Sequence, residues 1–416
     1  MTPPSRILVI RLSAIGDIVF ASPLIAALRR AHPQAHLAWL AQPECEPLLR
    51  HHPDLDQVIT WPRGEWRALW RERRWGELGR RVRAFRAELR RQGFDLALDL
   101  QGLLKSGLLA WLSGARERVG LGSREGSQWL MTCVVPRGGD PRAIGSEYRF
   151  LAKRLGLPLE GFAMALVPGE EARAFARDLI RRRGLGAGYA VLCPFTTRPQ
   201  KHWFEERWAE LAARLGRELD LPVLMLGGPA DREAAERIVT HYRTWTAISQ
   251  GYQPGTGGSI APGPTEGNRG VPPPEPAAGT ERNGTVVSAP VPGQSPEAGA
   301  SWPGLADLIN LAGDTSLLQA AALIEASQLV IGVDTGLGHM GIAFGRPTLL
   351  LFGSTRPYLD TGRANARVLY HPLPCSPCKR RPTCGGRHDC MRLIGVDEVL
   401  AAARDLPVAG SVEARP

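Results

Sequence analysis

The sequence predicts an α/β protein made of two doubly wound parallel sheets. Short apolar, β-rich runs alternate with helical patterns along most of the chain, which is the rhythm of parallel sheets covered on both faces. The rhythm starts twice, at RILVIRL and again at GYAVLCPF. The length, 416 residues, also suits about two domains.

In the first half, RILVIRL is followed by the loop SAIGD and the helical pattern VFASPLIAALRRAHP. Strand, tight loop and helix form one half of a βαβ unit. AHLAWLA, QVITW and FDLALDL continue as strands, and a helix runs through Lys105. This half is expected to cover residues 1–165. The second half, 166–416, begins its strands at GYAVLCPF and continues with PVLMLGG, LINLAG, QLVIGVD and PTLLLFG. Helices are expected from Phe204, from Asp231, over Leu317–Ala326 and near His339. Residues 251–301 interrupt it with 21 Gly or Pro among 51 residues. Such a segment buries too little apolar surface to offset its ordering entropy, so a disordered surface insertion is expected, with its flanks meeting in one domain.

Composition excludes several classes. No apolar run approaches the roughly 18 residues of a membrane span. Arg11 and Asp17 interrupt the apolar N-terminus, which is poor for a signal peptide. Seven cysteines are too few for a disulfide scaffold, and a reducing cytoplasm is expected. Lys plus Arg is 51 and Asp plus Glu is 41, a net charge of +10 that points to an acidic partner. Much of it sits in Arg63–Arg91, with eleven arginines, four acids and Trp66, Trp70 and Trp75 interleaved. That stretch reads either as a solvated amphipathic helix pair or as an arm for an anionic amphiphile at a membrane surface. No nucleic-acid module is visible, and nucleic acid is not expected as a partner.

Chemistry-bearing residues cluster where loops leave strands, the ligand end of doubly wound sheets. Asp17 closes the first strand–loop–helix turn beside Gly16 and reads as a general base or as a helix cap. The loop lacks GxGxxG, against a dinucleotide dehydrogenase. TTRPQKHW places Thr196, Thr197 and Lys201 after a strand, suited to phosphate oxygens or to a plain polar loop. GVDTGLGH places Asp334 at a strand end, Thr335 and Gly336 at a helix start and His339 one turn in. Helix-start N–H groups suit an anion, while a cap Asp and a core His are the plainer alternative. Asp54 and Asp56 spell DxD, read here as a loop before a strand. Cys375, Cys378, Cys384 and Cys390 match the ligand count of a structural zinc or iron–sulfur site, or stay as thiols.

Jointly, RILVIRLSAIGDIVFASPLIAAL, LALDLQGLLKSGLLA, TTRPQKHW and GVDTGLGHMGIAFGRPTLLLFGST resemble glycosyltransferase family 9, the bacterial lipopolysaccharide heptosyltransferases. TTRPQKHWFEERWAEL looks most like the branch that adds the first heptose, heptosyltransferase I. The resemblance implies a GT-B fold, two Rossmann-like domains facing across a cleft, and inverting transfer from ADP-heptose to a Kdo-lipid A acceptor. No cofactor or divalent metal is required for such catalysis. Asp17 matches the family's base and Lys201 its leaving-group stabiliser. Thr196, Thr197, Asp334, Thr335, Gly336 and His339 match donor contacts, and Asp231 aligns more loosely. Ser13, Gly16, Arg63, Arg67, Lys105 and Arg124 are candidates for the acceptor. The enzyme is expected in the cytoplasm, peripheral to the inner membrane. The cysteine tail CSPCKRRPTCGGRHDCMR and the insertion depart from that branch, so heptosyltransferase II or another sugar nucleotide stays open. A sugar-nucleotide epimerase and a non-catalytic basic binding protein are the alternatives of other classes.

Overall fold

The structure is a computed structural model that describes residues 3–249, 308–378 and 381–407. The segment 251–301, expected to be a disordered insertion, lies outside the described residues.

The first sheet contains β1 (Arg6–Ile10), β2 (His36–Ala41), β3 (Gln57–Thr60), β4 (Leu96–Asp99), β5 (Glu117–Leu121) and β6 (Cys133–Val135). Its spatial order is β3-β2-β1-β4-β5-β6, and every pairing is parallel. The second contains β7 (Ala190–Cys193), β8 (Val223–Met225), β9 (Leu308–Asn310), β10 (Leu329–Val333), β11 (Thr348–Phe352) and β12 (Ala366–Tyr370). Its order is β12-β11-β10-β7-β8-β9, again parallel. Counted from its own first strand, each sheet has the same order. In each, the first and fourth strands lie side by side at the centre and the chain direction across the sheet reverses there. Loops leaving such a pair diverge to opposite faces and leave a crevice.

The strand sequences explain why both faces are covered. Ile7 and Val9 pack into one core cluster, Leu8 and Ile10 into another on the opposite face. Successive strand residues point to opposite faces, so a run apolar at every position must be buried on both. Ala190 and Leu192 likewise enter one cluster of the second sheet, Val191 and Cys193 the other. The helix Ser146–Arg154 packs Tyr148 and Leu151 onto the first sheet's core. The helix Glu170–Arg182 adds Ala172, Ala176 and Leu179 to the second sheet's.

Three strands, β5, β6 and β12, were not among those expected from sequence. ERVGL and ARVLY carry charge, CVV is three residues long, and all three lie toward sheet edges, where half-exposed strands need no continuous apolar run. The basic stretch forms two helices, Arg63–Arg71 and Trp75–Arg91. Trp66 turns inward, edge-on to Trp61 and Phe85, and is not part of an exposed Trp row. The flanks of the segment outside the described residues touch: Asn310 Nδ2 donates to Glu236 Oε1 at 2.8 Å. No described helix is long and apolar enough to cross a membrane.

The helix Glu205–Leu219 is tied to the C-terminal helix Val396–Arg404 by arginines. Arg214 Nε donates to Glu218 Oε1 at 2.7 Å, Arg214 Nη1 pairs with Asp397 Oδ1 at 2.7 Å, and Arg404 pairs with Glu218. The hydrogen bond from Arg214 leads in pulling the Glu218 carboxyl down to about 2. A depressed carboxyl pKa stabilises the fold above its unfolded value and loses that contribution as pH falls toward the folded one. Thermal unfolding should therefore show Glu218→Gln less stable than wild type at pH 7, with the gap closing between pH 4.5 and about 2.

Candidate functional site

Asp17 lies in the first turn of the helix Ile15–Ala21, directly after β1. Its Oδ2 accepts from the Ala14 N–H at 3.1 Å and pairs with Arg11. Arg11 is buried and its Nη1 also donates to the Leu100 carbonyl at 3.1 Å, beyond the end of β4. The side chain caps the turn, as one of its two sequence readings expected. Oδ2 is held by backbone and guanidinium, while Oδ1 takes no hydrogen bond from any described residue, and the carboxylate is 40% exposed.

Asp334 follows β10 and is the centre of a dense polar cluster. Lys201 Nζ lies 2.5 Å from its Oδ2 and 3.1 Å from its carbonyl oxygen. Thr355 Oγ1 donates to Oδ2 at 2.6 Å, and His339 Nε2 stands 3.1 Å from Oδ1. Burial opposes the Asp334 charge, but the His339 hydrogen bond and the charge of Lys201 hold its carboxyl well below the usual range. An ionised carboxylate only accepts, so Nε2 of His339 carries a proton. In the neutral ring Nδ1 is then an acceptor, and Tyr358 Oη donates to it at 2.6 Å. Burial, reinforced by the Asp334 charge, raises the Tyr358 pKa well above its ordinary value, which keeps that hydroxyl protonated.

The two loops meet. A Cβ at Gly336 would lie 2.5 Å from Ile15 Cγ2, and one at Gly16 would lie 2.7 Å from His339 Cδ2. Phe20, one turn after Asp17, sets its ring 4.6 Å from that of His339 and 5.8 Å from that of Tyr358. The central crevice of each sheet thus opens toward the other.

The remaining candidates sit on the loops and helices that follow the strands. Ser13 and Gly16 flank Asp17. Lys105 opens the helix Leu104–Ser113 after β4; burial first, then the charges of Arg63 and Arg11, lower its pKa. These cations therefore share one neighbourhood. Arg67 is exposed one turn beyond Arg63. The loop of Arg124 is tied to that of β4 by its N–H donating to the Gly102 carbonyl at 3.0 Å. Thr196 and Thr197 follow β7, with the Thr196 carbonyl 2.7 Å from His202 Nε2. Thr335 precedes the helix Gly336–Ala343 without capping it through its side chain. Asp231, after β8, spends Oδ2 on the Gly228 N–H at 2.8 Å.

Asp56 Oδ2 accepts from the Leu37 N–H and pairs with Arg29, both at 2.7 Å, a structural role for the DxD. The four C-terminal cysteines are free thiols near one another; burial leads in raising the Cys390 pKa, with the other three adding to it. Among the described residues no three His, Cys, Asp or Glu side chains are placed to share a metal ion, so the cysteines as arranged do not fit a zinc or iron–sulfur site.

The model of the family described as "Glycosyltransferase family 9 (heptosyltransferase)" matches residues 82–249 and 296–386. This chain belongs to glycosyltransferase family 9. It is 28% identical over 388 residues to lipopolysaccharide heptosyltransferase 1 of Pseudomonas aeruginosa, covering 91% of this chain and 87% of that one. The family 9 glycosyl transferase structure from Veillonella parvula superposes with a TM-score of 0.67 at 19% identity, over 96% of both chains. E. coli heptosyltransferase WaaC, solved with ADP-2-deoxy-2-fluoro heptose, gives 0.62 at 21% identity, over 96% of this chain and 99% of that one. These neighbours establish the GT-B fold.

Several residues of this family 9 site were missed in the sequence. Arg11 served there only to argue against a signal peptide. Thr355 closes the quoted motif that contains Asp334 but was not singled out in it, and Tyr358 lies 19 residues from the His339 it contacts, beyond any motif. The polar residue that follows each strand end was the usable signal, and it finds only one partner of each pair.

Two outcomes are expected in an assay of sugar transfer. Tyr358→Phe removes the donor to His339 Nδ1 and should lower the rate about tenfold; an unchanged rate would mean that Asp334 and Phe20 suffice to hold the ring. Gly336→Ala should drive the loops apart and cost at least about tenfold, since interiors yield little to an added methyl. Ile15→Ala in the same chain should restore most of that loss.

Proposed function

We propose that this chain is an inverting glycosyltransferase that moves heptose from ADP-heptose to the Kdo of a Kdo-lipid A acceptor in inner-core lipopolysaccharide synthesis. The observation that carries the reading is the meeting of the Asp17 loop with the Asp334–Lys201 cluster across the cleft. It sets a carboxylate with one unengaged oxygen opposite a cation at a helix start, as a single displacement requires. The names of the family 9 relatives supply the sugar.

In this reading residues 1–165 take the acceptor and 166–416 the donor. Asp17 Oδ1 accepts the proton of the attacking Kdo hydroxyl, while Arg11 fixes the other oxygen. The hydroxyl oxygen bonds to the anomeric carbon on the face opposite ADP, the bond from that carbon to the ADP oxygen breaks, and the configuration inverts. Negative charge grows on the diphosphate. Lys201, the hydroxyls of Thr196 and Thr197 and the N–H groups after Thr335 are the groups that meet it. His339 and Asp334 hold Lys201 and the helix start in place for sugar and nucleotide, with Asp231 nearer the ribose. Lys105, Arg63, Arg67 and Arg124 suit the carboxylates and phosphates of the acceptor, and Ser13 and Gly16 line its approach. No divalent cation is part of the step. The protein acts at the cytoplasmic face of the inner membrane.

The test is release of ADP from ADP-heptose with Kdo2-lipid A. Release should require acceptor and fall by about 10²–10⁴ in Asp17→Asn. Lys201→Ala should cost about 10²–10³, the scale of one lost electrostatic stabiliser. Release only with an already heptosylated acceptor would move the protein to the second transfer step. Release without any acceptor would overturn the transferase reading.

A further inference from the structure

The helix Leu104–Ser113 buries Leu109 and Ala110 but leaves a second apolar face uncovered. Leu104, Leu108 and Trp111, at spacings of four and three residues, are 43%, 42% and 43% exposed. That spacing puts them on one side of the helix. The turn Ser127–Leu130 packs against the same helix, close enough that a Cβ at Gly107 would lie 2.7 Å from Ser127 Cβ. It carries Trp129, which is 84% exposed. Single exposed apolar side chains are ordinary, but a row of two Leu and a Trp with a further Trp beside it is not.

Cations border the row at both ends. The Arg86 guanidinium stands 5.6 Å from the Trp111 ring centroid, and the Arg90 stem lies beside Gly114 at the helix C-terminus. At the N-terminal end are Lys105 and the charges of Arg63 and Arg11, with Glu125 as the single opposing charge on Lys105. Trp and Arg bordering Leu suit a water–lipid boundary. The ring and aliphatic parts enter the headgroup region, and the guanidinium stays with lipid phosphates.

We propose that this face, Leu104, Leu108, Trp111 and Trp129 with Arg86 and Arg90, rests on an anionic lipid surface. The proposal builds on the lipid-linked acceptor assigned above. It keeps Arg86 and Arg90 of the basic stretch Arg63–Arg91, one of whose two sequence readings was a membrane arm, but takes its apolar residues from the helix Leu104–Ser113 and the turn Ser127–Leu130. Charge decides for lipid over an apolar protein partner: the border is cationic and the chain carries +10. Continuity decides as well, because the row begins beside Lys105, at the candidate acceptor site. An acceptor anchored by its acyl chains would then present its sugar toward the cleft without leaving the bilayer.

The experiment is co-sedimentation of the full chain with vesicles of equal parts phosphatidylethanolamine and phosphatidylglycerol, with phosphatidylcholine vesicles for comparison. Wild type should bind the anionic vesicles and release with salt. Leu108→Ser/Trp111→Ser/Trp129→Ser should bind about tenfold or more weakly, and Arg86→Glu should weaken anionic binding alone. Both variants should keep wild-type kcat/KM toward a water-soluble Kdo acceptor. Undiminished vesicle binding by the triple variant, or no binding by wild type, overturns the proposal. So does a concentration-dependent dimer that the triple variant abolishes, which would give the face to a second copy. Vesicle binding is read without donor, so failure of transfer to every acceptor would sink the transferase reading and leave this one standing.

Discussion

The carboxylate of Asp334 organises the second half's side of the contact between the halves. It takes Lys201 from the loop after β7, Thr355 from the loop after β11 and His339 from the helix that follows it. Through His339 it reaches Tyr358 and, by ring contact, Phe20 of the first half. A buried charge is tolerated only when paired and hydrogen-bonded, and removing one partner typically costs about 3–5 kcal/mol. Each of these side chains therefore depends on the others for its position. The helix start, the lysine and the facing loop behave as one unit.

The two sheets share a strand order, and the comparison shows what each half does with the same place. The fourth strand of the first sheet ends at Asp99, and Asp334 directly follows the fourth strand of the second. In the first sheet Asp99 is fully buried; its Oδ1 accepts the N–H groups of Gln101 and Gly102 at 3.0 and 3.1 Å, and Oδ2 accepts from Ser106 at 3.0 Å. Burial raises its pKa. It organises a loop. In the second sheet Asp334 faces cations and stays ionised. One topological position thus provides a backbone clamp in one half and an electrostatic anchor in the other. The first half's exposed carboxylate, Asp17, follows the neighbouring strand β1.

Most of this was legible because the central strands are apolar at every position. β1, β2, β4, β7, β10 and β11 read directly, and polar residues after them marked Asp17, Lys201 and Asp334. β5, β6 and β12, at or next to the sheet edges, did not read, since a half-exposed strand tolerates Arg118 or Arg367 without a periodic signal. The pairings of the site were also out of reach. Lys201 was expected to be a charge for phosphate, and its present partner is a carboxylate across the crevice. Arg11 and Tyr358 carry no local pattern, because what gives them meaning is a side chain brought near by the sheet. The inward turn of Trp66 was hidden for the same reason: helical spacing tells which residues share a face, not what the face meets.

Glycine at positions 16 and 336 lets the side chains of His339 and Ile15 press directly onto the facing backbone. Where a side chain of one loop presses on a glycine of the other, their separation is set by that contact, with no Cβ to widen it. The span from acceptor oxygen to sugar carbon is then a property of the fold. Changes at the rim can alter which sugar or which lipid is admitted while the reach of the reaction stays constant. Diversification of specificity on this scaffold is in that sense uncoupled from its chemistry.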